Sequence, residues 1–364
     1  MGRQSRPEKP RRGRSAGGRA CAARPRGRDF APGPRLNREE TMLTRRTVLA
    51  GSAACAVAQP SWGQSFPSRS VTILVPYPPG GPIDTLARLI AQEASADLGQ
   101  PMVVENRPGG GGLVGTATVA RADPDGHMMI LGTNQTHATN QNLIKNWTFD
   151  AVKDFAPVAG VAAMPHVLVV RKEFEAKTLA EFVAAAKAKP GKLTFGSSGN
   201  GSSAHLAGEL FKVKAGLDML HVPLRGVAPM VTEILAGRID FTIGPLPGMI
   251  SQQLAGGAMR GLAIASARRT PQLPDLPTFA EGGVAGVEAD AWSALFVPAK
   301  TPPATVERLY KAVASALAKD SVRAQLGKLG LPVAVKTPAE MSAMIPGEIA
   351  KWAEVIRVAK VTME

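Results

Sequence analysis

Two hydrophobic spacings take turns along this chain, and their alternation predicts its architecture. Val71–Val75 is an unbroken apolar β-run ending at Pro76. Beyond Gly80 and Gly81, apolar residues recur at Ile83, Leu86, Ala87, Ile90, Ala91 and Ala94, which is the spacing of one helical face. A strand over 102–105, a small-residue helix near 113–122, a turn from Asp123 to Gly126 and a strand over 128–131 follow. The pattern then restarts: strand 167–170, helix Leu179–Ala188 ended by Pro190 and Gly191, strand 193–195, and helix Ser203–Ala215. Strand 220–222, a helix near 229–236, and strands 239–243 and 262–265 complete the second unit. A strand at 292–297, an amphipathic helix marked by Val306, Leu309, Tyr310, Val313 and Leu317, and a last helix over about 339–357 close the chain.

Such β-α-β alternation predicts parallel sheets with helices on both faces, repeated in two lobes. The chain leaves the first lobe near Met164 and Pro165 and returns near Ala291 and Trp292, giving two hinge crossings. The expected lobes are residues 65–165 with 291–364, and residues 166–290. Ligands of open α/β sheets lie at the carboxyl ends of strands, so a cleft between the lobes is the expected site.

Composition changes the picture mainly at the amino end. Of the 364 residues, 43 are Lys or Arg and 29 are Asp or Glu, a formal charge of +14. Residues 1–46 hold 14 of those bases and 4 of those acids, so they carry +10 of it. This Arg/Gly/Pro-rich stretch has almost no aromatic residues to stack on bases. Residues 1–41 read as a disordered extension upstream of a start at Met42, and no nucleic-acid partner is expected for the mature chain. Residues 42–64 read as a signal peptide: Arg45 and Arg46, a short apolar run from Val48 to Ala58, then small residues around Ser61 and Gly63. Thr44-Arg45-Arg46-Thr47-Val48-Leu49 partly fits a twin-arginine signal, so export runs by that route or the general secretory one. Cleavage near Gln64 leaves 300 residues and removes both cysteines, Cys21 and Cys55. No disulfide framework or thiolate metal site then remains.

Three glycine- or serine-rich loops stand where strands hand over to helices: 77–81, 106–112 and 196–203. Loops without bulky side chains leave the first helical N–H groups open to anions. Asp84, after the first loop, either complements the helix dipole or accepts an ammonium or hydroxyl from a ligand. Thr133 and Asn134, beyond a strand, are candidate donors to a carboxylate, and Arg225 a candidate partner for a second one. Gly110-x-Gly112-x-x-Gly115 matches a dinucleotide fingerprint between strand and helix. The acidic residue expected after the next strand is missing, because Leu131 leads into Gly132-Thr133-Asn134. Close helix–sheet packing or anion contact is the preferred reading of those glycines. The serine-rich loop lacks the Gly-x-Ser-x-Gly elbow of hydrolases, and Ser202 or Ser203 reads as a helix N-cap. His205 reads as a ligand contact or a hydrogen-bonded structural residue. The five histidines, 127, 137, 166, 205 and 221, show no metal spacing, so neither metal nor cofactor is expected.

These loops carry a resemblance. Val75-Pro76-Tyr77-Pro78-Pro79-Gly80-Gly81-Pro82-Ile83-Asp84 with Ala87-Arg88 resembles the first signature of the tripartite tricarboxylate transporter receptors, also called the Bug family. Glu105-Asn106-Arg107-Pro108-Gly109, Ala122-Asp123-Pro124-Asp125-Gly126, and the run from Gly196 to Phe211 match further. So do the run from Leu273 to Glu281 and Pro298-Ala299-Lys300-Thr301-Pro302. The resemblance implies a non-enzymatic periplasmic solute-binding protein with a two-lobed Venus-flytrap fold of type 2-like kind. Each lobe is expected to be a mainly parallel sheet flanked by helices. It implies a small organic carboxylate held by main-chain N–H groups and waters, a monomer, and membrane permease subunits as partners. By position, Pro79, Gly80, Gly81, Ile83 and Asp84 belong to the first lobe's anion site, with Ser197, Ser198, Gly199, Ser202 and His205 facing it. The family often has Tyr-Lys-Gly where this chain has Leu224-Arg225-Gly226, and a second Asp where it has Gly244. Loss of a phenol and a carboxylate predicts a mono- or dicarboxylate with an apolar or aromatic body. The alternatives are a ligand sensor for a signalling system, or a dinucleotide-dependent enzyme using the turn from Gly110 to Gly115.

Overall fold

Strands in the middle of this protein are apolar on both faces, so each sheet must be covered twice. The computed structural model describes residues 66–362 apart from Pro247. The Arg-rich extension, the signal peptide and both cysteines lie outside the described residues.

The first stretch runs β1 (Val71–Val75), α1 (Pro82–Leu98), β2 (Met102–Asn106), α2 (Leu113–Ala120), β3 (Met128–Thr133), α3 (Asn140–Leu143) and β4 (Phe155–Met164). The middle stretch runs β5 (His166–Arg171), α4 (Leu179–Ala188), β6 (Thr194–Ser197), α5 (Ser203–Ala215), β7 (Leu220–Pro223), α6 (Val227–Leu235), β8 (Phe241–Pro245), α7 (Met249–Ala255) and β9 (Met259–Ile264). The chain finishes with β10 (Ala291–Pro298), α8 (Pro303–Ala318), α9 (Asp320–Lys328), β11 (Val333–Lys336) and α10 (Pro338–Ala359). Six strands form one sheet in the order β11-β4-β10-β3-β1-β2, and five form a second in the order β7-β6-β8-β5-β9.

Both sheets are mixed, which corrects the expectation of mainly parallel ones. β1 pairs in parallel with β2 and β3, but β10 runs antiparallel to β3 and β4, as β11 does to β4. In the second sheet β6 is parallel to β7 and β8, while β5 is antiparallel to β8 and β9. The hinge explains this. β4 leaves the first lobe where β10 enters it, with Met164 opposite Ala291, so these neighbours must run in opposite directions. β5 and β9 repeat the relation in the second lobe, with Val167 opposite Ile264.

Burial follows the strand period of two. Val71, Ile73 and Val75 enter one core with α1, α8 and α9, whereas Leu74 enters the other. β5 divides likewise, Leu168 and Val170 to one side, Val167 and Val169 to the other. Each such Val, Leu or Ile contributes about 1.5–3 kcal/mol by leaving water. α10 is fixed by a capping box between Thr337 and Glu340 and packs on β4, the turn after β3 and α5. It therefore touches both lobes. β4, β11, α7 and α9 were not legible from periodicity. β4 mixes Pro157, Gly160 and four alanines, and α9 is short and mostly polar.

Candidate functional site

A cavity of about 570 Å³ opens at the carboxyl ends of β1 and β3. Its first wall is the loop into α1: Tyr77, Pro78, Pro79, Gly80, Gly81, Pro82, Ile83 and Asp84. Pro82 starts α1 with its ring in place of an N–H, and no side chain caps this end. The N–H groups of Ile83 and Asp84 have no acceptor among the described residues. Thr85 N–H instead bonds back to the Gly81 carbonyl, at 3.0 Å.

The Asp84 carboxylate is engaged within the protein. It is 3% exposed, and its Oδ2 accepts from Gly80 N–H at 2.9 Å and Arg88 Nε at 3.0 Å. Oδ1 accepts from Asn106 Nδ2 at 2.8 Å. Burial acts to raise its pKa, but these hydrogen bonds and the Arg88 charge outweigh that and hold the carboxyl below its ordinary value. Asp84 thus ties the loop shut on its own backbone, and the Gly80 N–H is already engaged. Gly80 itself has φ 82°, a conformation that favours glycine.

The second wall is Thr133, Asn134 and Gln135 at the end of β3. A π-turn at Gln135–Thr139 carries the chain away from the strand. Thr136 Oγ1 accepts from Thr133 N–H at 3.0 Å and lies 2.8 Å from His137 Nδ1. The His137 imidazole stacks on Phe296 at 3.9 Å and is buried, which pushes its pKa down to about 3. Gly132 makes room for that ring, since a Cβ there would stand 2.4 Å from it. Tyr77 Oη and Thr133 Oγ1 share a 2.7 Å hydrogen bond at the wall, and burial pushes the phenol above its ordinary 10.0 despite that bond. Asn134 is 5% exposed, lines the cavity, and its side-chain amide has no hydrogen-bond partner among the described residues.

Met164 and Ala291, paired across the hinge strands, also line the cavity, and Ser203 is its one lining residue from the second lobe among the described residues. Ser202 is the N-cap of α5, accepting from His205 N–H at 3.3 Å. His205 Nδ1 accepts from Gly201 N–H at 3.1 Å, and its ring stacks on His221 at 3.6 Å. Burial, reinforced by the charge of Lys212, lowers His205 to about 4. His221 falls to about 3 through burial and then the neighbouring His205 and Lys212. Ser197 is wholly buried, its Oγ 2.7 Å from His221 Nε2 and 3.2 Å from the Gly199 N–H that donates to it. These residues brace the loop from beneath. Ser198 is half-buried, and its hydroxyl has no partner among the described residues.

The structure thus gathers Pro79, Gly80, Gly81, Ile83, Asp84, Thr133 and Asn134 around one cavity. Ser197 at the end of β6, Ser198, Gly199 and Ser202 in the loop after it, His205 in α5, and Arg225 and Gly226 before α6 do not line it. Tyr77, Pro78, Pro82, Gln135, Met164, Ser203 and Ala291 are lining residues that the sequence reading did not select. Tyr77 stood within the quoted signature, so a signal existed; Met164 and Ala291 come together only by strand pairing. The glycines of the second loop, 109–112, all have positive φ and lie outside the cavity. A Cβ on Gly115 would meet Leu74 at 2.7 Å and the Arg107 carbonyl at 2.8 Å, so that glycine serves close packing.

No group of three or more His, Cys, Asp or Glu is placed to hold a metal among the described residues. None of the described helices is long and apolar enough to cross a membrane.

Known proteins resemble this chain in sequence and fold. BugT of Bordetella pertussis is 32% identical over 318 residues, 86% of this chain and 97% of BugT. A structure of R. palustris Rpa4515 with adipate matches with TM-score 0.66 and 37% identity, covering 82% of this chain and 99% of that one. MatC (Rpa3494) from Rhodopseudomonas palustris with bound malate matches with TM-score 0.63 and 35% identity, covering 80% of this chain and all of that one. The sequence profile described as tripartite tricarboxylate transporter family receptor matches residues 86–361. The chain belongs to that receptor family, a two-lobed solute-binding protein with a cavity at the uncapped start of α1.

Proposed function

We propose that this protein is a periplasmic receptor that captures a small organic carboxylate between its lobes and delivers it to a tripartite tricarboxylate-type permease. One observation carries the reading: the cavity at the carboxyl ends of β1 and β3 sits on free N–H groups of α1 and the unpartnered Asn134 amide. A carboxylate there would satisfy both at once and complement the helix dipole. The adipate and malate bound by two relatives are of this chemical class.

Residues 65–165 with 291–364 act as one lobe in this reading and residues 166–290 as the other. Closure about the strands at Met164 and Ala291 brings Ser198, Ser202 and Arg225 over the ligand. Tyr77, Pro79, Pro82, Ile83, Met164 and Ala291 give the cavity a mostly apolar wall, which suits a carboxylate with an apolar body. The polar residues then fix orientation.

Calorimetry against a carboxylate panel, with mass spectrometry of any acid that co-purifies, tests the reading. Saturable binding of an apolar-bodied carboxylate is expected; binding of an amino acid alone, or of no anion, sinks it. Fractionation of the producing cells checks export after removal of residues 42–64. Loss of uptake of the bound acid in a deletion strain checks the permease partnership.

A further inference from the structure

A second cavity, of about 670 Å³, is larger than the one at α1 and has no part in the capture of an acid described above. One wall is α7 with the start of β9, where Leu246, Leu254 and Met259 line it. The other is the end of α9 and the turn toward β11, through Gly327, Lys328 and Gly330. Among the described residues no hydrogen bond or ion pair joins the two walls. Arg260 also lines the cavity, but its guanidinium donates to the carbonyls of Lys172, Phe174 and Ala176 in its own lobe.

Strand order places this cavity across the hinge from the first. In the six-stranded sheet, β4 and β10 separate β11 from β3 and β1. β3 and β1 end at the first cavity, whereas the turn toward β11 lines the second. In the five-stranded sheet, β8 and β5 separate β6 from β9. β6 leads to Ser203 in the first cavity, and β9 brings Met259, Arg260 and Gly261 to the second. β4 continues into β5, and β10 stands beside β4, so the crossings between lobes lie between the two cavities. A rotation about those crossings that draws the walls of one cavity together draws the walls of the other apart.

We propose that the second cavity sets the resting angle of the hinge, so that its lining residues tune ligand affinity without touching the ligand. Gly327 and Ala255, one on each wall, are the positions that keep it roomy. Gly327 lies within α9, and a Cβ there would meet no atom within 4 Å. Ala255 is exposed and ends α7. With such small residues the two walls are free to approach, which leaves the ligand side open at rest. Bulk added at either position wedges the walls apart and closes the lobes on the ligand side. The ligand-free protein holds its closed form as a minor state, roughly 0.1–10% of molecules. Apparent affinity scales with that fraction, so a wedge that enlarges it tightens binding. The inference goes beyond the receptor reading, because it concerns the hinge and holds whichever acid the first cavity takes.

Small-angle scattering of the acid-free protein, wild type against Gly327→Trp and Ala255→Trp, reads the hinge directly. Calorimetry then gives the affinity for adipate or malate, the acids held by two relatives, using whichever the wild type binds more tightly. At least one indole is expected to contract the free protein and to tighten binding of the acid by roughly threefold or more. Gly327→Ala, whose added methyl meets nothing, leaves both readings at the wild-type value. Thermal melts check that each variant is folded, and leucine replaces any tryptophan that is not. Expansion or weaker binding with either indole overturns the inference, as does no change with both. Tighter binding without contraction, or contraction without tighter binding, overturns it too. If the wild type binds neither acid, scattering alone decides, so failure of the receptor reading stays distinct from failure of the hinge proposal.

Discussion

At the scale of single residues, Asp84 shows how a candidate ligand contact becomes a loop fastener. Sequence placed it beside a helix start, where capping and ligand contact are equally reasonable. Three donors on its two oxygens tie it to the loop and to its neighbours. Asp84→Ala should lower stability by about 1–3 kcal/mol, because Gly80 N–H and Asn106 lose a buried acceptor. The Arg88 share is smaller, its side chain being half exposed to water. Urea melts read the stability, and calorimetry should show weaker ligand binding as the loop loosens. Ser198→Ala is the opposite case: its hydroxyl holds nothing in the protein, so stability should stay constant. Ligand affinity should fall by about 1 kcal/mol for one lost hydrogen bond. His205 was legible as a helix residue with a ligand or structural role but not as half of a stacked pair, since His221 arrives from β7.

At the scale of elements, the three small-residue loops looked alike in sequence and do different work. The first opens α1 to the cavity. The third is braced by Ser197, His205 and His221. In the second, Gly115 lets α2 settle onto β1 and the Arg107 carbonyl. Gly115→Val should therefore cost about 1–3 kcal/mol in urea melts, since the Arg107 backbone cannot give way as a side chain would. Carboxylate affinity should change little once the variant is folded. A large affinity loss at full stability would mean that the second loop touches ligand. Gly132 is the parallel case at the site, because His137 needs its space to anchor the turn bearing Asn134. No local pattern announces that need; it arises where the turn after β3 meets Phe296 of β10.

At the scale of the molecule, the hinge contains a titratable group with a readable signature. Asp290 precedes β10 and accepts from Ser266 Oγ at 2.7 Å, while its buried Oδ1 has no partner among the described residues. Burial raises its pKa from 3.8 to about 6, and Glu348 and Glu288 add to the rise against Ser266 and Lys351. The folded protein thus holds a proton that the unfolded chain releases, so stability falls as pH rises through the window from about 4 to 6. Asp290→Asn should remove that fall and gain roughly 1–3 kcal/mol above pH 6. The buried histidines act in the opposite sense: held neutral in the fold, they cost stability as pH drops below about 6.5. Melts of wild type and Asp290→Asn across pH 4–8 isolate the aspartate as their difference; parallel curves would refute it.

Sequence by itself determined the alternating elements, the two-lobed plan and the glycine-rich handovers, because periodicity and turn chemistry are local properties. The α4 and α5 boundaries agree to the residue for that reason. Only the tertiary structure decided the mixed strand directions, the internal hydrogen bonds of Asp84 and Ser197, and the meeting of Met164 with Ala291 at the cavity. Those facts depend on which strands become neighbours, and residues more than a hundred positions apart become neighbours through packing that no short window of sequence records.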